Sequence, residues 1–489
     1  MDKKLEKLID KDRVIYYFSE ISKIPRKSGN EMQISNYLKD FAIRFKLEVI
    51  QDEFYNILIK KNASVGCESF PGLILQGHMD MVCEKNNGIN HDFSKDPLSL
   101  YIEDDFLKAE GTTLGADNGI AIAYILAILE DNKIQHPSIE ALITTDEEVG
   151  LTGAMSFDTS VLKGKYFINL DSEEEGEIVI SCAGGLRANL ELPLNMDKID
   201  NSNYSKVNIS ISGLKGGHSG MEIDKNRVNS IVVLGELLDS LAIEFENMYL
   251  QKISGGKKDN VIPRESSADI LISYDSLDAF KIKAQSIAKQ IKEENIAADF
   301  DMRIDFDYSD IKSNIVFSKI TFNHVLFLLM NLPNGIQSMS SDIEGLVESS
   351  LNLGKLKQED KSINFEFAIR SSVKTKKYKI VRRLELFASY TDGKLTTTKD
   401  YPEWPVKKES SLLELVKDIY RKSYLKEPII KGIHAGLEAG VFLEKISDLD
   451  AISIGPNIFD VHSPDEKMSI SSVQRTYKLL LDIIEGLCK

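Results

Sequence analysis

Short apolar segments bounded by polar or turn residues recur through residues 1–186, and they predict β-strands. The predicted strands are residues 49–50, 56–59, 73–75, 141–143 and 167–170. Between them, residues 30–45 and 117–129 repeat apolar positions with the 3.6-residue period of a helix. Because strands and helices alternate, we expect an α/β domain with a mainly parallel central sheet and flanking helices.

The pattern changes in residues 187–400, where strands alternate in polarity and amphipathic helices lie between them. The predicted strands are residues 206–212, 267–273, 298–307 and 363–370. The predicted helices are residues 228–245, 277–294, 315–330 and 376–387. This combination of alternating strands and amphipathic helices predicts a separate α+β domain built of two sandwich-like units.

The segment DYPEWPVK, residues 400–407, is interrupted by proline and indicates a connector. It is followed by a predicted helix at 411–423, a short strand near 449–454 and a final helix at 471–487. A histidine motif in this tail belongs with motifs that lie before residue 172, as described below. We therefore predict a discontinuous first domain, residues 1–186 and 401–489, with residues 187–400 inserted into it.

Length and charge narrow the classes of function. A chain of 489 residues exceeds the ~250–300 residues at which single cores stop growing, so at least two domains are expected. The formal net charge of −16 argues against nucleic acid or an anionic membrane surface as a partner. The charged start MDKKLEKLIDKD lacks an apolar signal region, and the apolar run at 120–129 is shorter than the ~20 residues of a membrane span.

The four cysteines lie far apart without paired spacing: Cys67, Cys83, Cys182 and Cys488. This spacing fits reduced thiols in a cytoplasm better than a disulfide framework or a CxxC zinc site. The protein is therefore expected to be cytoplasmic, and any metal site must use histidine and carboxylate ligands.

The first candidate motif is LILQGHMDMV, an apolar strand that ends in His78 and Asp80. Residues i and i+2 of a strand point to the same side, so these two side chains are expected to be neighbours. A carboxylate behind a metal-binding histidine fixes its tautomer. Taken alone, a HxD motif is more often a structural or surface feature.

Two further motifs place acids at the start of a helix and at the end of a strand. GTTLGADNG delivers Asp117 to an apolar helix, where it is either an N-cap or a carboxylate that bridges two metal ions. ITTDEEVG runs into Asp146, Glu147 and Glu148, which form either a solvated acidic loop or a metal ligand beside a general base.

The last two motifs add Asp171, at the end of the strand in FINLDSEEEG, and His462, in GPNIFDVHSPDEKM of the tail. A lone histidine is usually a packed or surface residue. Four segments of one α/β domain and a fifth from the tail nevertheless each present a ligand-type residue. Their order along the chain resembles the di-zinc metallopeptidase family that contains aminoacylases, carnosinases and bacterial dipeptidases.

Within that family, HMDMVCEK, TTLGADNGIA, DEEVGLTGA, GGHSG, IHAGLEAG and DVHSPDE resemble the branch of the aminoacyl-histidine dipeptidases. The resemblance extends from about residue 14 to the final helix. It implies hydrolysis of dipeptides of broad specificity, including Xaa-His substrates such as β-Ala-His. It also implies that residues 187–400 form a lid and dimerisation domain of a homodimer.

The resemblance also implies two divalent metal ions, with zinc expected and manganese or cobalt as alternatives. Asp117 would bridge them, and the peptide between Asp117 and Asn118 would be cis. The remaining metal ligands would be His78 and Asp171 for one ion, and Glu148 and His462 for the other. Glu147 would be the general base for a water molecule between the ions, and Asp80 would orient His78.

Three residues of the inserted domain resemble substrate contacts of the family. His218 in LKGGHSG would reach across the dimer and hold the oxyanion. Asn260 in SGGKKDNVIP would hydrogen bond the substrate, and Arg370 in FAIRSS would bind its C-terminal carboxylate. A surface turn for His218 and a surface salt bridge for Arg370 are the alternatives.

Two other functions share these motifs. An N-acyl-amino-acid amidohydrolase or desuccinylase would use the same metals and base. A catalytically silent metal-binding scaffold would keep the fold without the reaction. The long inserted domain favours the dipeptidase, and the presence of all five ligand positions together with Glu147 disfavours the scaffold.

Overall fold

The secondary structure comes from a computed structural model that describes residues 2–311 and 313–489. In chain order, helices α1 to α12 of these residues are Lys3–Ile9, Arg13–Ile21, Met32–Arg44, Ala116–Glu130, Thr152–Ser156, Ser230–Glu244, Leu277–Asn295, Lys319–Asn331, Lys374–Tyr390, Ser411–Tyr424, Glu438–Lys445 and Ile470–Gly486.

Strands β1 to β25 of the described residues are Glu48–Gln51, Ile57–Lys61, Leu73–His78, Leu100–Glu103, Phe106–Ala109, Ile139–Thr144, Tyr166–Asn169, Glu177–Cys182, Gly184–Pro193, Met196–Lys198, Tyr204–Ser212, Gly217–His218, Tyr249–Gly255, Val261–Ile262, Ser266–Ser273, Arg303–Ser309, Ile315–Phe317, Gly335–Met339, Val347–Gln358, Ser362–Ser371, Lys394–Tyr401, Ile429–Ile433, Asp450–Ser453, Ile458–Phe459 and Lys467–Ser469.

The chain divides into two compact units, of which the first is discontinuous. Unit 1 comprises Met1–Ser181, Trp404–Gly432 and Leu437–Lys489, and unit 2 comprises Cys182–Glu403 and Ile433–Gly436. Each unit has its own sheet and its own core. None of the helices within residues 2–311 and 313–489 combines the length and the apolar character that a membrane span needs.

Unit 1 is built on an eight-stranded sheet in the order β1-β2-β6-β3-β7-β23-β8-β22. Its four middle strands are parallel, because β3 pairs with β6 and β7, and β7 pairs with β23. Antiparallel pairs flank them at β1–β2, β2–β6 and β23–β8. Every residue of β3 and β6 is buried, as expected of strands covered on both faces. The predicted α/β fold class is confirmed.

Unit 2 is built on a nine-stranded sheet in the order β16-β11-β15-β13-β19-β20-β9-β21, with β18 beside β19. The two predicted sandwich-like units share this one sheet, because β13 pairs with β19. Helix α9 packs on β9 and β20, and helix α6 contacts α7 and α8. Leucine, isoleucine and phenylalanine side chains between the sheet and these helices form the core of the unit.

Two element predictions in unit 2 are wrong in part. The helix predicted at 315–330 begins only at Lys319, because residues 315–317 form β17, which pairs with β10, and Ser318 caps the helix. The strand predicted at 298–307 begins only at Arg303, where pairing with β11 starts. In both cases a distant strand partner decides the local structure, and the apolar period does not reveal that partner. The connector predicted at 400–407 also starts later, because β21 continues to Tyr401.

Candidate metal centre and active site

The carboxyl ends of three adjacent parallel strands bring candidate residues to one edge of the unit 1 sheet. Strand β3 ends in His78, β6 is followed by Glu147 and Glu148, and β7 is followed by Asp171. Because β6 and β7 both pair in parallel with β3, these ends lie side by side. Ligands of open α/β sheets bind at this edge.

Asp117 enters the same site from the start of helix α4. Gly115 precedes it in the left-handed conformation (φ 66°, ψ 33°), and Asp117 itself has non-helical dihedral angles. The peptide between Asp117 and Asn118 is cis, as the family resemblance implied. Gly115 is the N-cap of α4, and the carboxylate of Asp117 contacts two imidazoles. The simple N-cap interpretation of Asp117 is therefore wrong.

The two carboxylate oxygens of Asp117 each face a different histidine. Oδ1 lies 3.0 Å from Nε2 of His78, and Oδ2 lies 3.2 Å from Nε2 of His462. Asp171 Oδ1 lies 3.5 Å from Nε2 of His78, and Glu148 Oε1 lies 3.1 Å from Nε2 of His462. The structure thus brings together all five residues that the sequence suggested as ligands, in two groups that share Asp117.

This set of donor atoms fits divalent metal ions. Imidazole nitrogen and carboxylate oxygen are donors that zinc, manganese and cobalt accept. Tetrahedral ligands ~2.0–2.1 Å from a zinc ion lie ~3.3 Å from one another, which is close to the observed spacings. One atom each from His78, Asp117 and Glu148 lies within 4.8 Å of the others.

The pKa values of this cluster of histidines and acids also indicate that positive charge stabilises it. Hydrogen bonds from the imidazole of His462 to the carboxylates of Asp117 and Glu148 raise the pKa of His462 to about 11. Burial, reinforced by the charges of Asp117 and Glu148, raises the pKa of Asp171 to about 6. Buried carboxylates of this kind are stabilised by cations or protons.

Asp80 is fully buried and holds two parts of the site at once. Its Oδ1 lies 3.3 Å from Nδ1 of His78 and accepts the backbone N–H of Glu147 at 3.1 Å. Its Oδ2 accepts the backbone N–H of Glu148 at 3.2 Å and the hydroxyl of Ser28 at 2.8 Å. Asp80 therefore lies against one histidine and also accepts two backbone N–H groups of the acidic loop, a second contact that the sequence did not predict.

Glu147 and Glu148 are neighbours in the chain with different surroundings. Glu148 contacts His462, whereas the carboxylate of Glu147 has no hydrogen-bond partner among residues 2–311 and 313–489. Asp146 before them adopts a left-handed conformation (φ 52°), which turns the chain at this point. Burial raises the pKa of Glu147 well above its ordinary value, and nearby carboxylates add to the effect. Glu147 is thus a buried acid that is protonated more readily than an ordinary glutamate.

Two buried charged residues next to Asp117 were not predicted from the sequence. The carboxylate of Glu466 accepts backbone N–H groups of the loop that carries Asp117, and the guanidinium of Arg26 donates to the carbonyl oxygen of Gly115 in the same loop. Glu466 lies inside the recognised DVHSPDE motif, so its spacing from His462 was an available signal. The sequence around Arg26 carries no comparable signal.

Unit 2 contains the three residues that resembled substrate contacts. Strand β12, which ends in His218, pairs with β14, which follows Asn260. Nδ1 of His218 faces the backbone N–H groups of Gly220 and Met221, at 3.3 and 3.1 Å. Burial and the positive charge of Arg370 lower the pKa of His218. In the neutral ring Nδ1 is then the acceptor of these two N–H groups, which leaves the proton on Nε2.

Arg370 is only 5% exposed and has no carboxylate partner in the described part of the chain. Its guanidinium donates to the hydroxyl of Tyr401 at 2.9 Å and lies 3.5 Å from Nε2 of His218. Gly220 permits this packing, because a Cβ there would lie 3.1 Å from Nε of Arg370. The surface salt-bridge alternative for Arg370 is therefore wrong. A buried guanidinium without an acid is suited to binding an anion.

His434 lies beside this arginine. Its Nε2 is 2.6 Å from the hydroxyl of Ser350, and burial together with the charge of Arg370 lowers its pKa to about 3. The ring is therefore neutral and adds no second positive charge.

The fold and the paired donor groups define a metal-dependent hydrolase of the α/β type. The chain belongs to the peptidase family M20/M25/M40, whose family model matches residues 74–486. The protein is thus a metallopeptidase, and the family resemblance inferred from the motifs is confirmed.

Two relatives that match nearly the whole chain are more than 30% identical to it. The cytosol non-specific dipeptidase of Escherichia coli K12 is 36% identical over 470 residues, which cover 96% of each chain. The crystal structure of aminoacylhistidine dipeptidase from Vibrio alginolyticus has a TM-score of 0.91 and 34% identity, and the match covers 97% of this chain and 96% of that one. The aminopeptidase PepT of Bacillus cereus, at a TM-score of 0.55 and 17% identity over 98% of each chain, shares the fold alone.

Proposed function

We propose that this metallopeptidase is a dipeptidase of broad specificity that includes Xaa-His substrates such as β-Ala-His. The observation that carries the proposal is the arrangement at Asp117, whose two oxygens face one imidazole each at 3.0 and 3.2 Å. An acid shared between two donor groups is suited to bridging two metal ions. The two full-length relatives are named as dipeptidases.

We assign the metal ligands as two groups that share the bridging Asp117. His78 and Asp171 would hold one divalent ion, and Glu148 and His462 the other. Zinc is the expected metal, with manganese or cobalt as alternatives, because all three accept imidazole and carboxylate donors. When bound, such ions acidify a water molecule and polarise the scissile carbonyl.

In the proposed reaction Glu147 moves the proton. It takes a proton from the attacking water, whose oxygen forms a bond to the carbonyl carbon, and the carbonyl electrons move onto oxygen. When the C–N bond breaks, Glu147 returns the proton to the leaving nitrogen. Asp80 keeps Glu147 in place through the backbone N–H of that residue, at 3.1 Å.

Unit 2 would supply the substrate contacts. The Nε2–H of His218 would donate to the developing oxyanion, Asn260 would hydrogen bond the substrate, and Arg370 would bind the C-terminal carboxylate. A buried cation that recognises the free carboxylate restricts the enzyme to short peptides, since a longer chain has its carboxylate farther from the scissile bond. Residues 187–400 would then act as a lid that completes the site.

A substrate panel tests this function. We expect rapid hydrolysis of Xaa-His dipeptides, slow hydrolysis of tripeptides, and little hydrolysis of N-acetyl amino acids. For the C-terminal amide of the same dipeptide, kcat/KM should fall by a factor of at least roughly 30, because an unpaired buried charge costs at least ~2 kcal/mol. Equal rates on dipeptide and amide, or on long peptides, would contradict the role of Arg370, and preference for N-acetyl amino acids would indicate an amidohydrolase.

We also propose that the protein is a cytoplasmic homodimer formed through residues 187–400, in which His218 serves the active site of the partner subunit. Mixed dimers test this arrangement. Glu147→Gln and His218→Ala subunits are each expected to be nearly inactive, since losing an oxyanion donor costs about 10²–10³-fold in kcat. A 1:1 mixture that exchanges subunits should regain about a quarter of the wild-type activity, because half of its two-fold dimers contain one complete site.

The control for this experiment is each variant incubated alone under the same conditions of exchange. A mixture that contains heterodimers by mass but gains no activity over the separate variants would show that His218 acts within its own subunit.

A further inference from the structure

The loop Leu114–Asp117, which carries the proposed bridging carboxylate, has no capping side chain of its own. The N-cap of its helix is Gly115, which offers no side-chain acceptor. The first N–H groups of a helix have no partner within the helix and need acceptors when they are buried. An acceptor for this loop must therefore come from elsewhere in the chain.

Glu466 supplies that acceptor. Its Oε2 accepts the backbone N–H groups of Leu114 and Gly115 at 2.8 and 2.9 Å. Its Oε1 accepts the N–H of Ala116 at 2.8 Å and faces that of Asp117 at 3.4 Å. Glu466 is only 3% exposed, and both of its carboxylate oxygens contact this one loop.

Arg26 holds the carbonyl side of the same segment. Its guanidinium donates to the carbonyl oxygen of Gly115, and to those of Met79 and Asp80 at 3.1 and 3.2 Å. It is 1% exposed, and a Cβ at Gly115 would lie only 2.5 Å from one of its nitrogens. The loop is thus held from one side by a buried anion and from the other by a buried cation.

The position of Glu466 in the chain links it to the second histidine. It follows His462 by four residues, within one segment of the tail. That segment therefore makes two contacts with Asp117: an imidazole 3.2 Å from its Oδ2 and a carboxylate toward its backbone N–H. The same segment therefore lies against both the side chain and the backbone of Asp117.

We propose that Glu466 is a positioning residue for the metal centre, which holds the loop Leu114–Asp117 so that Asp117 presents one oxygen to each imidazole. This inference rests on the proposed function, in which Asp117 bridges two metal ions. Residues that orient metal ligands through hydrogen bonds affect metal affinity and activity although they do not touch the metal.

The test compares Glu466→Gln with the wild-type protein, using Zn²⁺ and Mn²⁺ alone as probes. The amide keeps the size of the side chain but replaces one acceptor oxygen with a donor, which then faces backbone N–H groups. We expect metal affinity about 10- to 100-fold weaker, measured by competition with a chromogenic chelator on metal-free protein. At saturating metal, kcat should also fall while KM for a dipeptide changes little.

Glu140→Gln is the matched control. Glu140 is also buried (6% exposed) in unit 1, and it accepts the backbone N–H groups of Lys163 and Gly164 at 2.9 Å. It lies in β6, whose other end leads to the site, so its loss should lower the melting temperature without changing metal affinity. Equal metal affinity in the wild-type and Glu466→Gln proteins, or equal losses in Glu466→Gln and Glu140→Gln, would overturn the positioning role.

A second variant, Glu466→Asp, keeps the charge and both acceptor oxygens on a shorter side chain. We expect its metal affinity to lie between those of the wild-type and Glu466→Gln proteins. An affinity no better than that of Glu466→Gln would contradict the claim that the carboxylate group positions the loop. Wild-type protein that binds no metal or leaves dipeptides intact would refute the proposed function itself. If the wild type does both and only the variant comparison fails, this inference alone is wrong.

Discussion

Replacing Glu147 by glutamine is expected to reduce kcat by at least about 100-fold while the metal content of the protein stays unchanged. The amide has the same size as the acid but cannot accept the proton of the attacking water. The carboxylate of Glu147 contacts neither histidine of the metal centre in the described structure, whereas that of Glu148 lies 3.1 Å from His462. The substitution should therefore separate proton transfer from metal binding.

The measurement is steady-state hydrolysis of a dipeptide together with metal analysis of the same preparation. Glu53→Gln, an exposed acid of unit 1, is the control and should retain full activity. If Glu147→Gln kept wild-type kcat, the general base would have to be another residue. If it lost its metal, Glu147 would be a ligand.

The second large effect is expected from Asp117→Asn, which should lower kcat/KM by about 10³-fold, because the metal ions contribute several kcal/mol to catalysis. An asparagine offers one acceptor oxygen and no charge, whereas the two oxygens of Asp117 face His78 and His462. The metal content should fall below two ions per chain.

Asp158→Asn is the matched control for this variant. Asp158 caps a short helix of unit 1 by accepting the backbone N–H of Ser160, so it represents an acid with a purely structural role at a helix start. Asparagine is an equally good N-cap, and activity should not change. Asp117→Asn protein with two bound ions and normal activity would contradict the bridging role.

The sequence could predict three of the proposed ligands, His78, Glu148 and Asp171, because they lie where apolar strand patterns end. The buried strands β3 and β7 lead directly into His78 and Asp171, and a parallel sheet brings such ends together. His462 in the tail was predicted as a ligand from the motif around it and not from a periodic pattern of apolar residues. Its position beside Asp117 depends on the discontinuous unit 1, which local periodicity does not encode.

The supporting residues could not be predicted in the same way. Arg26 acts on the carbonyl oxygen of Gly115, 89 positions away, and Glu466 acts on backbone N–H groups about 350 positions away. Neither contact involves the side chain of the partner residue, so local periodicity predicts neither contact, although Glu466 stands in the same tail motif as His462. Strand β17 was missed for a related reason, because its partner β10 lies far away in sequence.

The most direct test of a two-metal site shared through Asp117 is to locate the ions in crystals of the Glu147→Gln protein soaked with zinc and a dipeptide. We expect two anomalous scattering peaks ~3.5–4 Å apart, one beside His78 and Asp171 and the other beside Glu148 and His462, with Asp117 between them. A single peak, or two peaks of which only one contacts Asp117, would contradict it.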